Sequence, residues 1–191
     1  MGNLTPAQMF DHVLNVVKGP SLVHRLDFRA APKSGETVLA GAVCSIDATG
    51  QLVAGVVTGA VFNRPMPMFA IQNINDFDAN SDVGNISGGV MSAVVATGGF
   101  EIETTEFKTG TYAPNDLLTA ATGGDRGLVR RMTVSPYMTE VVVGCTSEGV
   151  STNSDGKSVL RFWTMFLPAG TKHQYDSSSS DLSETSQSSN P

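Results

Sequence analysis

Val141-Val142-Val143-Gly144, then Asn153-Ser154-Asp155-Gly156, then Val159-Leu160-Arg161-Phe162-Trp163-Thr164-Met165-Phe166-Leu167 closed by Pro168: an apolar run, a turn, and a second apolar run. The same phrase recurs from Thr37 onward. Leu52-Val53-Ala54-Gly55-Val56-Val57 is another run, and further turns are legible at Asp47-Ala48-Thr49-Gly50, Pro114-Asn115-Asp116 and Gly123-Gly124-Asp125-Arg126-Gly127. Closely spaced β-branched runs punctuated in this way read as strands of an all-β barrel or sandwich. Strands are expected near 38–46, 52–59, 90–97, 128–134, 140–146 and 159–167. The last carries the sole tryptophan, Trp163, beside Phe162, and is expected to be central. At Phe100-Glu101-Ile102-Glu103 the alternation sets Phe100 and Ile102 on one side and the glutamates on the other.

At 191 residues the chain suits one compact domain with appendages. Charged residues are only 16% of it, against roughly 25% in an average soluble domain. Such a weakly charged surface suits a protein packed permanently against something, or an extracellular one. The net charge of −6 argues against nucleic-acid binding. Half of it comes from Asp176, Asp181 and Glu184 in the Ser-rich tail, so the body is close to neutral. Cys44 and Cys145 each sit in an apolar run and are expected to be reduced, buried thiols. No secretory signal is read at the N-terminus, and no run approaches the roughly 18 apolar residues of a membrane span.

Four segments follow. Residues 1–19 read as an amphipathic helix: Thr5 caps, Pro6 takes the first position, and Met9, Phe10, Val13, Leu14 and Val17 recur at helical spacing before Gly19-Pro20. Residues 20–36 read as an extended arm, 37–170 as the β domain, and 171–191 as a Ser-rich acidic tail, disordered when alone in water. The fold class is therefore mainly β, a small barrel or sandwich with a short N-terminal helix and extended terminal arms.

Candidate chemistry is sparse. Asp76-x-Asp78-x-Asn80-x-Asp82-x-Gly84 alternates oxygen ligands as Ca²⁺ requires, but Ser81 stands where the loop needs Gly and Ser87 where it needs a bidentate Glu. Gly156-Lys157-Ser158 ends like a phosphate loop, yet Ser151 replaces the earlier Gly and a strand follows instead of a helix. His12, His24 and His173 lie far apart in sequence, and no Gly-x-Ser-x-Gly elbow exists. Glu101, Glu103 and Glu106 read as a solvated sheet face or a charged edge. Arg126, Arg130 and Arg131 either pair across strands with those glutamates or bridge subunits. No catalytic set, metal or cofactor is expected.

Arg64-Pro65-Met66-Pro67-Met68-Phe69 is the strongest candidate contact surface, because Pro restricts the backbone and Met offers a deformable apolar surface. Its other reading is that Met68 and Phe69 plug the end of the barrel. Arg29 and Pro32 are further candidate contacts, in the arm.

The phrases Leu39 to Gly50, Tyr112-Ala113-Pro114-Asn115-Asp116-Leu117-Leu118-Thr119, Gly127-Leu128-Val129, Val142-Val143-Gly144 and Leu160-Arg161-Phe162-Trp163 resemble the head decoration (cement) proteins of tailed bacteriophages. The resemblance covers roughly residues 36–168. It implies a structural virion protein, made in the host cytoplasm and seated on the capsid exterior. There it would bridge neighbouring subunits of the major capsid protein and self-associate, with trimers favoured, binding neither nucleic acid nor membrane. Two alternatives stay open: another virion part such as a tail or fibre component, or a glycan-binding β module, which requires Trp163 to be exposed. An enzyme would need titratable groups gathered in one pocket.

Overall fold

The computed structural model describes residues 12–19, 25–29, 33–56, 67–70, 73–75, 90–95, 99–133 and 140–167. The strands, in chain order, are β1 (Leu14–Lys18), β2 (Arg25–Arg29), β3 (Thr37–Val38), β4 (Val43–Ile46), β5 (Leu52–Ala54), β6 (Met68–Ala70) and β7 (Ile74–Asn75). They continue with β8 (Val90–Val95), β9 (Glu101–Thr104), β10 (Leu117–Ala120), β11 (Val129–Arg131), β12 (Val142–Thr152) and β13 (Ser158–Leu167). The larger sheet has six strands in the order β1-β9-β13-β12-β10-β11, the second has five in the order β2-β8-β6-β4-β5, and β3 with β7 forms a small ribbon. All of these strand pairs are antiparallel. Among the described residues both large sheets end in edge strands and neither closes on itself, so the barrel reading gives way to open sheets.

The turns are where the chain placed its turn residues. In the hairpin joining β12 and β13, Asn153 Oδ1 accepts the amides of Asp155 (3.0 Å) and Lys157 (2.9 Å), and Gly156 takes the positive φ that the turn needs. Between β4 and β5, Asp47 Oδ1 accepts the Thr49 amide (2.8 Å), the Thr49 hydroxyl (2.6 Å) and the Gln51 amide (3.1 Å). The Thr49 hydroxyl and the Gln51 amide, with Lys33 adding to them, lower the Asp47 carboxyl to about 2. Because the folded value is depressed, the stability this turn contributes is present above the ordinary value near 3.8 and is lost as pH falls toward about 2. The melting-temperature gap between wild type and Asp47→Ala is therefore expected to hold from neutral pH down to about 5 and to narrow between about 4 and 2, checked by thermal melts across pH.

The main core lies between the two large sheets. Val43 and Phe69 of the second sheet pack with Ile102, Leu118, Val143, Leu160 and Phe162 of the larger one, and the Phe69 and Phe162 rings sit 5.5 Å apart. The far side of the second sheet is buried too, where Cys44, Leu52, Met68 and Ala70 pack with Val38 of the ribbon.

One expectation is corrected here. Leu14–Lys18, the C-terminal part of the expected helix, is strand β1, paired with β9 along Leu14–Thr104, Asn15–Glu103 and Val16–Ile102. Tertiary pairing has overridden the helical spacing, because the backbone of β9 supplies hydrogen bonds that a lone short helix must make by itself. The rest of that segment, residues 1–11, lies outside the described residues. Within the expected arm, Arg25–Arg29 is strand β2, at the edge of the second sheet. Further along, the Lys33 amide donates to Leu52 O, laying that stretch against β5.

Candidate functional site

β13 is the strand that positions the site. Its side chains alternate: Leu160, Phe162 and Thr164 are buried on the core side, while Arg161, Trp163, Met165 and Leu167 point to the outer side. Cross-strand partners share a face, so Glu101 and Cys145, both opposite Trp163, stand on that outer side. So do Glu103, opposite Arg161, Leu117, opposite Cys145, and Lys18, opposite Glu101. This outer face divides in two. One half is apolar, with Met132 and Val142 buried among half-buried Leu117, Met165 and Leu167. The other half is a charged network. Trp163 stands between the halves, 39% exposed.

The glutamates are not a solvated row. Glu101, Glu103 and Glu106 retain 2%, 7% and 4% of their surface. β9 is an interior strand, covered at its flank by β1, so the charged-edge reading fails as well. A buried carboxylate must be paired. Glu103 Oε1 accepts from Arg161 Nε at 2.9 Å and from Arg161 Nη2, and Arg161 Nη1 reaches Glu148 Oε2 at 3.0 Å. Glu103 accordingly raises the guanidinium's affinity for its proton. Lys18 Nζ lies 3.0 Å from Glu101 Oε2, an ion pair. Burial pushes the Glu101 carboxyl up, but Ser147, Lys18 and Arg161 together outweigh it and hold the group below its ordinary value.

A concavity opens elsewhere, where the turn before β3 meets the loop before β11. Its volume is about 400 Å³, and Glu36, Glu106, Asp125, Arg126, Leu39 and Leu128 help line it. Glu106 Oε1 lies 2.5 Å from His12 Nδ1 and accepts from the Thr105 hydroxyl at 3.2 Å. Acidic groups and an imidazole thus stand beside one hollow, as an enzyme would require. Each charge is nevertheless engaged: Glu36 with Arg126, Asp125 with Lys108, Glu106 with His12. Among the described residues the lining holds one hydroxyl, that of Thr37, and neither a serine nor a cysteine nucleophile. Among the described residues no three His, Cys, Asp or Glu side chains are grouped to hold a metal ion.

The residues expected at a contact surface fare differently. Pro67, Met68 and Phe69 are buried, Met68 and Phe69 in β6 inside the second sheet. As surface they are corrected: they fill the core, because β6 is flanked by β4 and β8 and covered on both faces. Arg29 ends β2 opposite Val90. Arg64, Pro65, Met66 and Pro32 lie outside the described residues, as do the Asp76–Gly84 loop, His24, His173 and the acidic tail.

Arg126 pairs with Glu36, Arg130 with Glu140, and Arg131 with Asp116 (3.2 Å), so the arginines pair within the chain, though not with the glutamates of β9. Both cysteines are free. Cys44 is buried, which pushes its thiol up to about 12, whereas Cys145 is only half-buried. Sequence reasoning missed the outer face, although the alternation Arg161-x-Trp163-x-Met165-x-Leu167 carries its signal. From sequence the run reads only as a central strand, with its two faces unassigned.

No family model, no curated protein and no solved structure matches this chain. Among the described residues, no helix is long and apolar enough to cross a membrane.

Proposed function

We propose that this is a structural virion protein, a decoration-type β-sandwich that stabilises an icosahedral phage capsid by bridging major capsid subunits from outside. The observation that carries the reading is the fate of the charges. Around the hollow and across the outer face they are spent on internal pairs, while the bulkiest exposed apolar side chain, Trp163, stands on a central strand. That is the economy of a molecule that offers surface and does not hold a reagent. A subunit that binds only the assembled lattice stabilises it by mass action, about 2.7 kcal/mol per site at a hundredfold excess over Kd. Many copies then multiply modest contacts. The resemblance adds self-association into trimers, and leaves Arg29, Pro32 and Arg64–Met66 as capsid contacts.

The test is binding to purified tailed-phage shells. Saturable binding to expanded shells, with none to unassembled capsid subunits, is the expected result. Equal binding to both, or to neither, overturns the reading. The exposure of Trp163 favours one second reading, a glycan-binding β module, because an indole face stacks on sugar rings. A saturable shift of tryptophan emission on titration with oligosaccharides would support it in place of the first.

A further inference from the structure

We propose that residues 12–18, strand β1 with His12 and Val13 before it, form a releasable strap. It lifts from β9 while both large sheets stay folded, and so turns β9 from an interior strand into an edge. The inference concerns the chain alone and needs no shell.

Three observations carry it. The first is how little of the strap is buried. Among the described residues β1 pairs with β9 alone, at the end of the larger sheet. Val16 and Val17 are 40% and 37% exposed, and the Lys18 side chain is 65% exposed. Leu14 is the one residue of β1 that packs on the main core, and it is only half-buried. A segment with so few buried apolar contacts opens locally, well below the cost of global unfolding.

The second is what holds it. Each end is fastened to a buried carboxylate: His12 Nδ1 lies 2.5 Å from Glu106 Oε1, and Lys18 Nζ lies 3.0 Å from Glu101 Oε2. Next to His12, the Val13 amide donates to Thr105 Oγ1 at 2.9 Å, and the Thr105 amide donates to Val13 O at 3.2 Å. These fastenings are polar. Lifting the strap takes away the cover together with the partner, so water replaces each bond that is lost.

The third is the pivot. Gly19 follows Lys18, and its backbone runs so close to Phe100 that a Cβ would lie 2.7 Å from the ring. Glycine fits there, and it also accepts the wide backbone change that a swinging strand demands. The next strand, β2, belongs to the other large sheet, so lifting β1 breaks only its own ladder.

Closed, the strap hides an edge that would otherwise template pairing with other chains. Open, it bares that edge, with the Glu101 and Glu106 carboxylates released toward its two ends. The fold thus contains a guarded edge.

The ladder itself supplies the test. Along an antiparallel strand the amides point alternately to the two neighbours. The Thr105 amide bonds Val13 O, whereas Phe100 O accepts from Thr164 of β13. The Glu103 amide therefore faces β1, and those of Ile102 and Thr104 face β13.

The experiment is residue-resolved amide hydrogen exchange of the full chain by NMR, under conditions where the rate reports the open population. Asn15, Glu103 and Thr105 are expected to exchange at least about a hundredfold faster than Ile102 and Thr104. Gly50→Ala, in the turn between β4 and β5, then separates strap opening from global unfolding. It lowers the stability of the whole fold, so the Ile102 and Thr104 amides should speed up about tenfold. Asn15, Glu103 and Thr105 should keep their rates.

Glu103 and Thr105 amides as well protected as those of Ile102 and Thr104 would overturn the proposal. So would an equal acceleration of both sets in Gly50→Ala, because β1 would then leave only when everything does. Shell binding can succeed or fail with either result.

Discussion

Replacing Gly41 with alanine is expected to cost about 4 kcal/mol, enough to leave a marginal domain largely unfolded. The residue has φ +89, and a Cβ built on it would lie 2.1 Å from Thr104 Oγ1 and 2.8 Å from Val13 O. The position is a three-way junction. Thr104 Oγ1 donates to Gly41 O and accepts the Glu106 amide, while the Gly41 amide donates to Ala70 O. The turn before β4 is thereby pressed onto β9 of the larger sheet and tied to β6 of the second. A methyl group there must move a backbone carbonyl and a buried hydroxyl, not a flexible side chain.

Gly50 supplies the control. Its φ is +80, yet a Cβ there would meet nothing within 4 Å. Gly50→Ala should therefore cost only the left-handed backbone penalty, about 1–2 kcal/mol. Urea unfolding of both variants measures the difference, which isolates the close approach. Thr104→Ala should return part of the Gly41→Ala loss in the double variant, because it removes the nearer obstacle. Equal losses at Gly41 and Gly50 would mean that the junction yields more readily than its distances imply.

Turns were legible in the sequence, and faces were not. Asp47 to Gly50 and Asn153 to Gly156 announce themselves because side chain, amide and positive φ act within five residues of chain. The strands that follow such turns were legible for the same reason. Whether an alternating strand buries one face or two depends on partners far away in the chain. Glu101 and Glu103 alternate as a solvated row does, but Arg161, on β13, closes over Glu103, and Lys18, on β1, closes over Glu101. β1 itself shows the limit most plainly. The spacing of Val13, Leu14 and Val17 is helical, whereas the structure pairs Leu14–Lys18 with β9 and holds Lys18 on a buried carboxylate. Met68 and Phe69 stayed open between contact surface and interior plug for the complementary reason. Prolines mark a stretch as loop-like, and nothing local reveals that the next three residues slot between two other strands.

Arg161 offers the sharpest test of the charged half of the outer face. Arg161→Met is expected to cost about 3 kcal/mol at neutral pH, because it strands the Glu103 carboxylate at 7% exposure without its counter-ion. The Arg161 side chain keeps about a quarter of its surface in water (26%), so the figure belongs at the low end of the range for buried pairs. Losing the Glu148 contact adds little, since that carboxylate is 58% exposed. Lys108→Ala sets the scale at the other extreme: both partners of Lys108–Asp125 are about half exposed, and its loss should change stability by less than about 1 kcal/mol.

A further measurement separates a stranded charge from lost packing. Glu103→Leu combined with Arg161→Met should recover most of the deficit, since an apolar pair of similar volume needs no counter-ion. A deficit that survives in the double variant would assign the role of Arg161 to its methylene stem.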